Sequence, residues 1–345
     1  MHSMDLPMTT YLIKRIFYML GVLLLLSLVI FLVYNLLPVD KAADMAMQEL
    51  ASNKNLNYAE RYLYYQRRFG LDGGIFLRYL RWVGLAPYYD GSYQGLLQGN
   101  FGTSIVYGKP VVEVIKEPLL NTLTLNLFAT FFALIITIPL GVFCARRRGS
   151  KRDFAVQVGT IVGYSMPAFI IAILFIWLFA VTLDIFPVSG MSTVGKEYTG
   201  WEKAIDTAYH FALPLIVMTF CSLGGMTRYV RASMTDALRL DCIRTARAKG
   251  LKESTVVRVH AFRNALIPIV SLLIGWLVGV FSGSIMIENV FGINGIGKVY
   301  FDALTSNDNE IALAMQTFYI LLALVGNLLV DIAYGLVDPR VRIDK

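Results

Sequence analysis

The sequence predicts an all-α, polytopic membrane protein: six transmembrane helices with a long extramembrane loop after the first, laid out as residues 1–37, 38–118 and 119–345. Three observations lead there. Of 345 residues, 56% are hydrophobic and only 16% charged, too apolar a balance for a soluble two-domain protein. Six uncharged runs are long enough to cross a hydrocarbon core that needs about 20 residues. The long hydrophilic region carries its aromatic residues at helical spacing. Cys144, Cys221 and Cys242 lie in or beside apolar runs or in a basic loop, a pattern with neither disulfide nor metal spacing.

Ile16 to Leu37 is the first span. Lys14 and Arg15 precede it and no small-residue cleavage site follows, so it reads as an uncleaved signal anchor. In the loop that follows, Tyr58, Tyr62, Tyr65 and Phe69 recur on one helical face, as do Phe76, Tyr79, Leu80 and Val83, with Trp82 beside them. Arg67, Arg68, Arg78 and Arg81 are interleaved, which predicts interfacial amphipathic helices rather than a nucleic-acid surface on a loop tethered at both ends to a bilayer. Gly84 to Gly102 is turn-rich, and Pro110 then suits the first position of a helix carrying Val111, Val114, Ile115 and Leu119.

The other five spans are Asn121 to Ala145, Phe154 to Leu183, Tyr209 to Thr227, Asn264 to Ile287 and Ile311 to Val330. An even number places both termini on one side. The termini with residues 146–153 and 228–263 hold nineteen of the 31 Lys and Arg residues in far fewer positions than the opposite face. The bias predicts cytoplasmic termini and accounts for the net charge of +7 without nucleic acid.

The most informative stretch is Asp241 to Pro268, DCIRTARAKGLKESTVVRVHAFRNALIP, within loop 228–263. Leu240, Ile243, Thr245 and Ala246 have helical spacing, Lys249 complements the carbonyl end, and Gly250 supplies a permissive residue after the cap. A second helix is predicted from Glu253 to Asn264. Such a hairpin suits the groove of a partner, and equally an ordinary basic cytoplasmic loop.

Within the spans, Gly275, Gly279 and Gly283, and likewise Gly159 and Gly163, repeat every four residues and predict close helix packing. Pro139, Pro167, Pro214 and Pro268 predict kinks, which line a pathway or simply bend a bundle. Ser165, Met166 and Pro167, with Ile293 and Ile296 in a later turn, are candidate pathway or gate residues. Asp331 near the end of the sixth span, with Arg340 behind it, is a candidate structural ion pair or a functional acid.

Arg244-Thr245-Ala246, three residues and Gly250 resemble the "EAA...G" loop of ABC importer permeases, and DCIRTARAKGL followed by NALIP is similar to the dipeptide and oligopeptide branch. Arg244 stands where the general motif has glutamate and Thr245 where it has alanine, and the interval to Pro268 is longer than the general consensus. Phe69 to Asp72, Tyr79 to Trp82, Gly99 to Ser104 and Asp338 to Arg342 also resemble that branch, while Leu85 to Gln94 reads as an insertion. The resemblance covers nearly the whole chain. It implies a type I importer permease fold, a prokaryotic inner membrane and a coupling loop comprising Asp241, Arg244, Thr245, Ala246, Arg247, Ala248, Lys249 and Gly250. It also implies a second homologous permease, two ATPase subunits that hold the ATP and Mg, an extracytoplasmic binding protein and a peptide substrate, with no cofactor in this chain. Related branches carry nickel, glutathione or oligosaccharides.

One decoy and two rival readings stand beside it. Gly292 to Val299 fits a phosphate-binding loop until its last position, where Val299 replaces the magnesium-binding hydroxyl and no strand precedes it. Gly163-Tyr164-Ser165 with His210 offers a thin case for an intramembrane serine protease. A stand-alone secondary transporter would show internal inverted repeats, and none is visible.

Overall fold

The computed structural model describes residues 8–38 and 40–337, with the backbone alone at 8–12, 267, 271 and 333–337. Among them the chain is all-helical, and its one β-bridge joins Thr103 to Pro110. Four helices are long and apolar enough to cross a membrane, and two bent pairs bring the number to six if each pair is one span. The chain forms two compact units: residues up to Glu117 with Val299–Leu324, and Pro118–Lys298 with the chain from Val325.

In the first unit, α1 (Met8–Asn35) is the apolar span. Helix α2 (Lys41–Ser52) starts where the Asp40 carboxylate accepts from Ala42 and Ala43 N–H, and α3 (Tyr58–Arg68) starts at an Asn57 cap. These two pack together as a hairpin. Ala42, Ala46 and Tyr65 are its buried seam, and Glu49 takes both Arg61 and the Tyr65 hydroxyl. Helix α4 (Ile75–Val83) packs on α1 through Phe31, Tyr79 and Val83, then stops at Gly84, whose φ of 94° is available to glycine without strain. The buried Arg81 pairs with Asp72 and donates to the carbonyls of Gly70 and Pro87, pinning the turn between α3 and α4.

The predicted helix after Pro110 and the second span are one helix, α5 (Val111–Arg146), 36 residues long with Pro118 and Pro139 inside it. Lys116 and Glu117, which mark the hydrophilic boundary, are good helix formers and do not end it. The expected third span is built from two helices, α6 (Lys151–Ser165) and α7 (Ala168–Phe175), bent by 104° and making one span if the pair is counted together. Pro167 explains the break, because it forces Met166 into extended backbone with ψ 140°. A π-helical run, Ile176–Thr182, continues α7.

Helix α8 (Gly200–Ala237) extends well beyond the predicted fourth span on both sides. A Cβ on its Gly224 would lie 2.3 Å from the Thr160 carbonyl, and one on Gly163 would lie 2.9 Å from Phe220. Small residues therefore do set the α6–α8 approach. A Cβ on Gly159, Gly275 or Gly279 would meet nothing within 4 Å, so that part of the predicted glycine packing is not made among the described residues. Helix α9 (Asp241–Ala248) is followed by α10 (Glu253–Thr255), a π-helical run Val256–Ala261, and α11 (Phe262–Gly279), so the second hairpin helix does not end near Asn264. The fifth span ends at Gly279 rather than Ile287, and the Asn126 amide closes its exit by donating to the carbonyls of Val280 and Ser282, both at 2.8 Å. Short helices α12 (Ile285–Val290) and α13 (Ile296–Thr305) precede α14 (Asn309–Val337).

Candidate functional site

Two places gather the predicted residues, both in the second unit. The first is the hairpin between α8 and α11. Ile243 and Ala246 face inward and pack with Val230, Met234 and Ala237 of α8, Val256 and Val257 of the π-helical run, and Ala261. This apolar seam sets the angle of α9. Helix α9 ends in a Schellman arrangement: Gly250 N–H donates to the Arg247 carbonyl at 2.9 Å and Leu251 N–H to the Ala246 carbonyl at 3.4 Å. Gly250 has φ 75°, and nothing lies within 4 Å of where its Cβ would be, so backbone conformation and not space demands glycine there.

The outward face of α9 and its turn exposes Asp241, Arg244, Thr245, Arg247, Ala248 and Lys249. Ala246 is the exception: it is buried and holds the hairpin together instead of facing a partner. Arg247 is also partly committed. Its Nε and Nη2 donate to Glu253 at 3.1 and 2.7 Å, a two-pronged clasp across the Gly250 turn that raises the guanidinium pKa further. Arg244 meets Asp241 at 3.2 Å on open surface. Glu253 was not singled out by the sequence, although an acid six residues after Arg247 across a glycine turn was the available signal.

The second place is the turn between α12 and α13. Ile293 and Ile296 are both fully buried, Ile293 in a cluster with Leu125 of α5, Ile171 of α7, Phe211 and Leu213 of α8, and Phe291. The glycine-rich run that mimics a phosphate loop holds an anion from its own chain. The Glu288 carboxylate, 2% exposed, accepts from Thr122 Oγ1 at 2.9 Å and from Ser284 N–H and Lys298 N–H at 3.2 and 2.9 Å. Burial pushes its pKa up, and these donors pull the other way. A Cβ on Gly295 would lie 2.4 Å from the carboxylate carbon, and one on Gly297 2.9 Å from Oε2, so the glycines are what let the carboxylate in. Thr122 also accepts from Ile296 N–H at 3.0 Å, and Asn121 donates to the Asn294 carbonyl at 2.8 Å. Sequence reasoning missed Glu288 and Thr122. The signal was a lone carboxylate in the apolar run Ile285–Val290, just before a glycine repeat.

The remaining candidates separate. Ser165, Met166 and Pro167 form the α6–α7 break, with Met166 packed on the apolar cluster that contains Ile293 and Ser165 exposed. His210 is buried with Nδ1 2.8 Å from the Asp206 carbonyl, and no hydrogen bond joins it to Ser165 among the described residues, which removes the geometric basis for a hydrolytic pair. Asp331 lies on α14, while Arg340 lies outside the described residues. No group of three or more His, Cys, Asp or Glu suited to a metal ion occurs among the described residues.

Comparison with known proteins agrees along nearly the whole length. The family model described as "Binding-protein-dependent transport system inner membrane component" matches residues 137–343, and its N-terminal companion matches residues 8–126. The oligopeptide transport system permease protein AppB of Bacillus subtilis is 34% identical over 336 residues, covering 97% of this chain and 100% of that one. The dipeptide transport system permease protein DppB of Lactococcus lactis is 31% identical, again covering 97% and 100%. The glutathione transport system permease protein GsiC of Salmonella paratyphi A is 31% identical, covering 97% and 99%.

Proposed function

The chain belongs to the inner membrane components of binding-protein-dependent transport systems, and from that membership we propose that it is the translocation subunit of an ATP-driven importer of di- or oligopeptides. It forms the pathway with a second homologous permease, receives substrate from an extracytoplasmic binding protein and is driven by two cytoplasmic ATPase subunits, which supply ATP and Mg. The observation that carries the coupling role is the hairpin itself. An α-helix of eight residues is held by an apolar seam to the ends of two long helices while its polar face stays open.

ATP can move a substrate only if its binding favours one arrangement of the helices over another. The seam of Ile243 and Ala246 makes α9 move with α8 and α11, so a push on the exposed face reaches the spans rather than being lost in a loose loop. At the other place, Ile293 closes into an apolar cluster and Glu288 fixes the turn that carries it. We take this as the closed external gate. Glutathione is the second substrate class in view, because GsiC aligns over nearly the same length as the peptide permeases. Identifying the ligand that co-purifies with the binding protein separates the two.

The test uses the assembled transporter. Gly250→Val places a β-branched residue at positive φ, a strain of more than about 1 kcal/mol that misaims α9, whereas Gly250→Asn keeps a residue that visits this region. Expected is loss of bound ATPase subunits or of substrate-stimulated hydrolysis for valine and near-normal coupling for asparagine, with membrane insertion intact in both. Normal transport by the valine variant would refute the coupling role.

A further inference from the structure

We propose that the first unit binds the phosphodiester headgroup of an anionic phospholipid, in a cavity where α4 meets the end of α1. The site itself does not rest on the transport reading; only the arm of its test that measures stimulation by the binding protein does. The cavity is about 1440 Å³, and its wall includes Tyr34, Asn35, Arg67, Arg68, Arg78 and Trp82.

Its place relative to the bilayer follows from α1. The candidate span Ile13–Asn35 is the most apolar of the four long candidate spans, so Asn35 marks a membrane boundary. Helix α4 does not stop at that boundary. The Tyr79 hydroxyl reaches Ser27 Oγ at 2.9 Å and the Leu24 carbonyl at 3.1 Å, and Phe31 stacks near Trp82 with ring centroids 5.4 Å apart. Ser27 lies eight residues before Asn35, about 12 Å along the helix axis at the α-helical rise, so α4 sits at the depth of the interface and upper acyl chains. Its other side exposes Ile75, Phe76 and Leu77, and Leu36 at the end of the span is 80% exposed. These are the surfaces an interfacial helix offers to lipid tails.

The charge arrangement asks for an anion. Arg61, Arg81 and Lys41 of this unit each have a carboxylate partner. Among the described residues, Arg67, Arg68 and Arg78 have none. Arg67 and Arg68 lie over the rings of Tyr89 and Tyr64. Arg78 donates Nη2 to the Asn35 side chain, but its Nε is buried with no hydrogen-bond partner. A buried donor without an acceptor is costly, and a guanidinium edge fits phosphate oxygens two at a time. The carboxylates on the wall are engaged elsewhere: Asp40 caps α2 and accepts from Tyr62, Glu310 holds Lys41, and Asp90 takes Ser92. Glu60 stays exposed in the first turn of α3, where an acid suits the helix end. The phosphate chemistry alone would admit a free phosphate as well as a headgroup. The volume and the exposed apolar residues at membrane depth favour the lipid, and they also favour it over an acidic segment of a protein partner.

The experiment compares the assembled complex in nanodiscs of phosphatidylcholine with and without phosphatidylglycerol, followed by native mass spectrometry after mild delipidation. Wild type should retain phosphatidylglycerol selectively, Arg78→Gln should lower that retention at least tenfold, and Arg67→Gln with Arg68→Gln should lower it severalfold. Lys203→Gln, an exposed charge in the second unit, should leave retention unchanged. The double variant changes only exposed side chains, so it decides the matter if Arg78→Gln does not assemble. Four results would overturn the proposal: equal retention in both Arg variants, no preference for the anionic lipid, displacement of the lipid by millimolar inorganic phosphate, or variants that keep the lipid but lose stimulation by the binding protein. The third would assign the pocket to a free anion and the fourth to a protein partner.

Discussion

At the scale of single residues, Glu288 converts a misleading motif into a structural explanation. A glycine-rich turn that exposes its N–H groups is an anion site whatever the anion, and here the anion is a side chain ten residues before Lys298. Removing a carboxylate that satisfies buried donors leaves each donor unpaired, about 1–3 kcal/mol apiece. Glu288→Ala should therefore lower the melting temperature of the purified subunit markedly. Glu288→Gln should do so by less, since it keeps the shape and one acceptor oxygen but turns an NH₂ group toward Lys298 N–H. Thr122→Val removes both the donor to Glu288 and the acceptor for Ile296 N–H, and it should cost on the order of 1–3 kcal/mol as well. Wild-type melting curves for all three would mean that the turn is held by apolar packing alone.

At the scale of elements, the hairpin allows a sharper question than whether its charge matters. The Arg247–Glu253 pair is about half exposed, so it stabilises the fold by no more than about 1 kcal/mol and either single reversal should still insert and fold. If the pair acts by setting the angle of α9, Arg247→Glu should weaken ATPase binding and adding Glu253→Arg should restore most of it. If Arg247 contacts the ATPase directly, the swap should not rescue, and co-purification of the ATPase subunits tells the two apart. The hairpin was largely legible beforehand, since Ile243 and Ala246 at helical spacing and a glycine after a cationic turn are local signals that tertiary structure did not override. Where reading failed, the competing physics was also local. The charges of Lys116 and Glu117 suggested an element boundary, yet their helix propensity carries α5 straight through. The uncharged run from Phe154 to Leu183 suggested one span with a kink at Pro167, but not a bend of 104°, because hydropathy does not see backbone geometry. Glu288 stayed hidden because its donors come from Thr122 and Ser284 as well as its own turn, a pairing across 166 residues that no spacing rule reaches.

At the scale of the whole molecule, the proposed function turns on orientation, which sets the face that would meet the ATPase subunits and the face that would meet substrate. Nineteen of 31 Lys and Arg residues fall with the termini, the α5–α6 turn and the hairpin, a bias that predicts a cytoplasmic place for those segments. The protein carries a built-in reporter for it. Cys242 is an exposed thiol on α9, while Cys144 is buried and Cys221 half-buried. In intact cells an impermeant maleimide should leave Cys242 unlabelled, and it should react once the membrane is permeabilised and the ATPase subunits are stripped away. A cysteine introduced at exposed Gln94, in the long loop, should label in intact cells without permeabilisation, and one at exposed Arg148 should behave like Cys242. Labelling of Cys242 and Arg148→Cys from outside, with Gln94→Cys protected, would invert the topology. The hairpin would then lie where there is no ATP, and the Glu288 turn would take its place on the cytoplasmic face.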